Sequence, residues 1–323
     1  MKKEYNLGGG YFSERKILKA VDDVDLNINR GDTIGIVGES GAGKTTLGRL
    51  ILRLIKPSAG SVRYNGKDIL KLTGRELKEF RKRAQIVFQS PFLSLNPSIK
   101  VFDTLAEPMR YHKIVDTRQS AKKKVNDLLD LVGLGEEFLN RYPHELSGGQ
   151  MQRIAIARAL SVEAEFLVFD EPTSSLDVSA QGQILNLIRS LRKKLNLTYL
   201  FISHNLAIVS NVCSKVAVMY AGKMVELANT DEFFTDPKHP YSQVLLNSIL
   251  TPQLSDKGER MLPKGEPPSL VHPPNGCRFH PRCPRVMPIC SEREPKLASL
   301  TSTRKAACFL YPEVKTASNS KSN

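Results

Sequence analysis

Apolar runs of four or five residues punctuate the first 230 positions, and each is closed at its C-terminal tip by glycine or a polar residue. TIGIV at 33–37 opens onto the glycine-rich turn GESGAGKT, after which apolar positions recur at helical spacing from about Lys44. AQIVFQ at 84–89, FLVFDE at 166–171 and TYLFISHN at 198–205 repeat the device. Runs this short and this continuously apolar predict strands buried on both faces, with chemistry carried at their tips. Such strands separated by helical stretches predict an α/β domain with a mostly parallel sheet.

Between Ser90 and Tyr142 the pattern turns helical, as in AKKKVNDLLDLVGL, and Pro91, Pro97, Pro108 and Pro143 are expected to break it. This predicts a helical subdomain over 90–159 inserted between the core segments 1–89 and 160–230. Residues 231–323 form a C-terminal extension: a linker at 251–276 with six prolines by position 274, a cysteine-bearing module at 277–310 and a polar, disordered tail at 315–323.

No apolar stretch approaches the roughly 20 residues of a membrane-spanning helix, and the start MKKEYNLGGG lacks the apolar run of a signal peptide. The expectation is a cytoplasmic chain. The net charge of +14 is spread along the sequence, although residues 277–323 carry nine Lys or Arg against three Asp or Glu. Spread of this kind fits a solvated basic surface as well as an anionic partner.

GESGAGKT matches the P-loop pattern, with Gly38, Gly43, Lys44 and Thr45 in place and Ser40, Gly41 and Thr46 completing the cradle. Backbone amides of such a turn point at phosphate oxygens, Lys44 supplies a cation to the β and γ phosphates, and the Thr45 hydroxyl can hold Mg²⁺. FLVFDE is the expected partner, delivering Asp170 toward the metal and Glu171 toward water. A second anion site lies at 144–160, where Ser147 can cap a helix beginning near Gly149, with Gln150 next in line. One triphosphate is already largely surrounded by the P-loop, so this second helix start makes sense if it closes over a nucleotide held by another chain.

The order GESGAGKT, Gln89, LSGGQ, FLVFDE, SSLD, SHN resembles the ATP-binding subunits of ABC transporters over residues 5–230. The resemblance implies a P-loop NTPase core of RecA-like type with a helical insertion, and head-to-tail pairing in which each LSGGQ helix caps its partner's ATP. It assigns Gln89 to sensing Mg²⁺ and the attacking water, Glu171 to polarising that water, His204 to the γ-phosphate and Asp177 to signalling across the interface. Taken singly, Gln89 reads better as a turn residue, His204 as a strand-end surface residue and Asp177 as a helix cap; in order with the P-loop, the functional readings take precedence. Members of the family stack adenine on an aromatic that follows a first strand. Tyr5 matches by position, with Tyr11 as second candidate, and that first strand is expected to be missing here.

VFQSPFLSLNPS, HPYSQVLLNSIL, the segment PPNGCRFHPRCPRVMPICSEREP and ACFLY resemble the ATPases of dipeptide and oligopeptide importers; LGRLILRLIKPSAGSV and DTLAEPM lean toward the second of their two unlike ATPase subunits. This implies a heterodimer with a homologous ATPase, two transmembrane permease subunits, an extracellular peptide-binding protein reached through the permease, a place at the cytoplasmic face of the membrane, and no nucleic acid. A soluble ABC-type ATPase working on nucleic acid or ribosomes is the alternative. Cys277, Cys283, Cys290 and Cys308, separated by five, six and seventeen residues, can converge on one centre. Four sulphurs suit zinc or a four-iron cluster, and resemblance to importer tails favours [4Fe-4S] over Zn²⁺ or metal-free thiols. Arg278, Arg282 and Arg285 are expected to offset the charge of the thiolates, and Cys213 to be a core residue.

Overall fold

A computed structural model of the chain describes residues 1–8, 16–248 and 265–311. It opens with β1 (Lys3–Asn6), paired antiparallel with β2 (Ile17–Val21). β3 (Thr33–Val37) leads through the glycine turn into α1 (Lys44–Ile51). A small hairpin, β4 (Arg63–Tyr64) and β5 (Lys67–Asp68), precedes α2 (Gly74–Arg83) and β6 (Ala84–Val87). Then come α3 (Pro91–Ser94), α4 (Val101–Tyr111), α5 (Arg118–Leu131) and α6 (Gly148–Leu160). β7 (Phe166–Asp170), α7 (Val178–Leu195), β8 (Thr198–Ile202) and α8 (Leu206–Val212) restore the strand-helix alternation. β9 (Lys215–Tyr220) and β10 (Lys223–Asn229) form a hairpin followed by α9 (Thr230–Thr235) and α10 (Pro240–Asn247). The last described elements are α11 (Ile289–Glu292), β11 (Ala298–Ser299) and β12 (Lys305–Ala306).

Among the described residues the strands run side by side in the order β11-β12-β10-β9 in one group and β8-β7-β6 in another. β6, β7 and β8 pair in parallel, as the alternation predicts, whereas β9, β10, β12 and β11 pair antiparallel. β3, β7 and β8 are buried at every position, which is why their sequences are unbroken apolar runs rather than alternating ones.

The chain groups into two compact units, one of Met1–Asp25, Ile36–Lys44 and Asn205–Asn323, the other of Leu26–Gly35 and Thr45–His204. In the second, α4, α5 and α6 pack on one another. α5 buries the stripe Ala121, Val125 and Leu129 and starts in a Thr117–Ser120 capping box. α6 buries residues all round, from Gln152 to Leu160, as a helix enclosed by its neighbours must. The proline expectation holds at Pro91, at the start of a short helix, and at Pro143, which opens a 3₁₀ turn. It fails at Pro108, which lies inside α4. Buried Leu105, Ala106 and Met109 anchor the helix on both sides of the ring, so packing overrides the roughly 3 kcal/mol that an interior proline costs.

In the first unit the C-terminal extension is stitched into the sheet. β12 adds to the edge of β10 with Glu226 opposite Ala306, and the Ala307 amide donates to the Val225 carbonyl at 2.8 Å. The Lys19 amide of β2 donates to the Leu270 carbonyl at 3.1 Å. Tyr5 lies within strand β1, so the first strand expected to be missing is present and carries the aromatic itself. Most of the expected linker, the whole of the expected disordered tail and Tyr11 lie outside the described residues.

Candidate functional site

The first unit holds the glycine cradle up to Lys44. Gly38 (φ +150°) and Gly43 (φ +98°) are required for a reason beyond phosphate access. A Cβ on Gly38 would stand 2.1 Å from the Met219 carbonyl oxygen, and one on Gly43 2.1 Å from that of Ala20. Strands β9 and β2 thus press on the loop from behind. Ser40 and Gly41 at its crest are exposed. Lys44 is buried, and its Nζ donates to the carbonyls of Gly38 at 2.8 Å and Glu39 at 2.9 Å, which holds the ammonium under the loop.

The second unit holds the strand-tip residues Gln89, Asp170, Glu171 and His204. The Thr45 hydroxyl donates to Asp170 Oδ1 at 2.8 Å, and Asp170 is buried at the tip of β7. This hydroxyl and carboxylate supply the oxygen donors a hard cation such as Mg²⁺ takes. Glu171, one residue on, has φ +48° and a backbone amide that donates to the Ile202 carbonyl of β8 at 3.0 Å. Its Oε2 receives Gln89 Nε2 at 3.4 Å and lies 3.2 Å from His204 Nδ1. The tips of strands β6, β7 and β8, which the sequence reads as buried runs closed by polar residues, therefore bring Gln89, Glu171 and His204 together. Ser175 reinforces Gln89 by donating to its carbonyl at 3.4 Å, a link the motif spacing did not announce.

Ser147 caps α6: its Oγ accepts the Gln150 amide at 3.3 Å while its own amide donates to Gln150 Oε1 at 3.0 Å. Gly148 and Gly149 leave the first turn bare and also admit α7. A Cβ on Gly148 would meet Leu176 Cδ2 at 3.2 Å, and one on Gly149 the Ala180 Cβ at 3.4 Å. Asp177 caps α7 through Oδ1, which accepts the Ala180 amide at 2.8 Å, the plainer of the roles expected for it. Thr46 is half-buried in α1. The Tyr5 ring carries Lys3 Nζ 4.8 Å from its centroid.

Cys277, Cys283, Cys290 and Cys308 line one small pocket together with His239, His280 and Phe279. Burial pushes the Cys277 thiol up to about 11 and raises Cys283 and Cys308 as well. Among the described residues no three His, Cys, Asp or Glu side chains are placed to hold a metal ion. The arginines expected to neutralise the thiolates are engaged elsewhere, apart from Arg285, whose charge offsets a small part of the burial that raises Cys283. Arg278 grips Asp22 and the Ala221 carbonyl, and Arg282 grips Glu39, because each buried guanidinium finds a carboxylate nearby. Cys213 is buried, as a core residue.

Comparison with known proteins agrees with this arrangement. Residues 21–174 match the ABC transporter family, and residues 225–290 match the oligopeptide/dipeptide transporter C-terminal region. Oligopeptide transport ATP-binding protein AppF of Bacillus subtilis (strain 168) is 46% identical over 316 residues, 96% of this chain and 95% of that one. The chain belongs to the oligopeptide/dipeptide ABC transporter ATP-binding proteins. YkfD of the same organism is 47% identical over 94% of this chain and 93% of its own. Dipeptide transport ATP-binding protein DppF of Haemophilus influenzae is 43% identical over 96% of this chain and 94% of its own. The solved dimeric, post-hydrolysis ATP-binding cassette MJ0796 with ADP and Pi is similar in fold, with TM-score 0.63 and 28% identity over 71% of this chain and 96% of that one. The family is one of ATP-hydrolysing subunits. No helix among the described residues is long and apolar enough to cross a membrane.

Proposed function

We propose that this chain is the ATP-hydrolysing subunit that drives a dipeptide or oligopeptide importer. The observation that carries the reading is the convergence of Gln89 and His204 on Glu171 Oε2, one residue from the Asp170–Thr45 pair. In this reading the amides of 38–46 and Lys44 hold the phosphates of ATP. Thr45, Asp170 and Gln89 hold Mg²⁺, which neutralises developing phosphate charge when bound. Glu171 orients and polarises water, and His204 contacts the γ-phosphate. Tyr5 is the adenine platform.

Gly148 and Gly149 offer their amides at the start of α6, flanked by the Ser147 and Gln150 side chains, which suits the nucleotide of a second ATPase chain, and Asp177 caps the next helix, α7. The second chain is an unlike homologue, so that the working pair is a heterodimer. It sits at the cytoplasmic face of the membrane against two permease subunits, which receive the stroke through the helical subdomain 90–159 and accept peptide from an extracellular binding protein. The four cysteines line one pocket but are not placed as a ligand set; on the resemblance alone a sulphur-liganded group, [4Fe-4S] ahead of zinc, would staple a module too small to bury a core of its own. Metal analysis of anaerobically purified protein separates iron from zinc.

The test of the paired arrangement is size-exclusion chromatography of the Glu171→Gln chain with its partner ATPase under saturating ATP. A stable heterodimer that dissolves when ATP is removed is expected. Monomers persisting under those conditions overturn it.

A further inference from the structure

Glu39 follows the first glycine of the P-loop and is tied to the C-terminal extension at two points. Its backbone amide donates to the Tyr241 hydroxyl of α10 at 2.8 Å, and its carboxylate receives Arg282 Nη1 at 2.9 and 3.1 Å. The Glu39 carbonyl is one of the two that hold Lys44 Nζ. Arg282 is buried, its side chain 7% exposed against 26% for Glu39, and its Nη1 also donates to the Tyr220 hydroxyl at 3.2 Å. Burial opposes the guanidinium's charge, but its bonds to Glu39 and Tyr220 outweigh that and hold its pKa above the ordinary arginine value.

The anchor is rigid. Tyr220, Tyr241 and Phe279 are fully buried, with ring centroids 4.5 to 5.3 Å apart, and Phe279 lies between Cys277 and Cys283 in the extension. A carboxylate carried by a residue of the triphosphate cradle raises a physical difficulty, since its charge repels the ligand the loop exists to bind. Arg282 removes that charge while fixing the residue that bears it.

We propose that Arg282 and Tyr241 are positioning residues for ATP: the extension cancels the charge of Glu39 and sets the loop geometry in advance of binding. This rests on residues 38–45 being the ATP cradle. It makes the C-terminal region part of the nucleotide site rather than an accessory to it.

Calorimetric titration of the full-length chain with ATP tests the idea, alongside steady-state turnover. Arg282→Ala should weaken ATP binding about tenfold and raise KM with kcat changed less than about twofold. Adding Glu39→Gln to that variant should recover most of the loss, which no purely structural role for Arg282 produces, and Arg282→Lys should fall between. Wild-type affinity in Arg282→Ala, or failure of Glu39→Gln to rescue it, overturns the proposal. Should Arg282→Ala not fold, Tyr241→Phe, which deletes one hydroxyl, carries the test: about fivefold weaker binding supports it and unchanged binding refutes it. Lys44→Ala is the control, for if that variant binds ATP normally the cradle assignment itself fails, whereas loss there with no effect at Arg282 refutes only the positioning role.

Discussion

Glu171 combines two properties that point in opposite directions, and substitution separates them. Its carboxylate is the proposed base, while its backbone sits at φ +48°, a region that costs a residue with a Cβ about 1–2 kcal/mol. Glu171→Gln removes the charge but keeps the Cβ, so turnover should fall about 10²- to 10⁴-fold with little change in melting temperature. Glu171→Gly removes both. Relief of the left-handed strain, less the roughly 0.5–1 kcal/mol of extra chain entropy that glycine surrenders on folding, leaves a net gain of about 0.5–1 kcal/mol. For a chain of this size that is a rise of about 1–2 °C. Differential scanning calorimetry of the two inactive variants side by side measures it. A glycine variant that melts below the glutamine variant would show that the position is not strained and that its φ is not a stored cost of holding the base in place.

Gly43→Ala should abolish ATP binding and destabilise the fold by at least about 3 kcal/mol, read by denaturant titration, because its Cβ meets the Ala20 carbonyl oxygen at 2.1 Å. Gly41→Ala, open on all sides, should cost only the about 1 kcal/mol of its φ of +78°. Ser147→Ala removes a cap worth about 1 kcal/mol of stability, yet hydrolysis in the assembled pair should fall far more than the mutant's own ATP affinity; equal losses of both would refute action on a partner's nucleotide. His239 is held neutral by burial, its pKa lowered to about 3 from an ordinary 6.5. The folded pKa lies below the unfolded one, so stability is complete above pH 6.5 and drains as pH falls toward 3, with about 1.4 kcal/mol gone by pH 5.5. Urea midpoints of wild type and His239→Asn at pH 7.5 and 5.5 check this. The nearby Glu226, raised by burial, acts in the opposite sense in both proteins and cancels in the comparison.

The catalytic strands were legible because each is a local pattern: an apolar run buried on both faces cannot be much else, and its polar tip is fixed by adjacency in the chain. The Ser147 cap was legible for the same reason. Arg282 on Glu39 was not, because 243 residues separate the pair and nothing in RFHPRCPR distinguishes an arginine facing thiolates from one facing a distant carboxylate. The glycines of the P-loop were read from their motif as part of a turn that aims amides at phosphate, and the backbone of β2 and β9 behind them emerged only with the fold. Pro108 misled because a local penalty was weighed without the tertiary packing that overcomes it.

The pairing of β12 with β10 means that the last strand among the described residues plugs an open seam of the ATPase. A version shortened before residue 300 would bare the backbone donors and acceptors of Val225 to Leu227 and unroof Glu226, whose carboxylate is wholly enclosed. Naked seams of that kind recruit stray strands, so a clipped protein is expected to clump rather than merely lose a dispensable appendage.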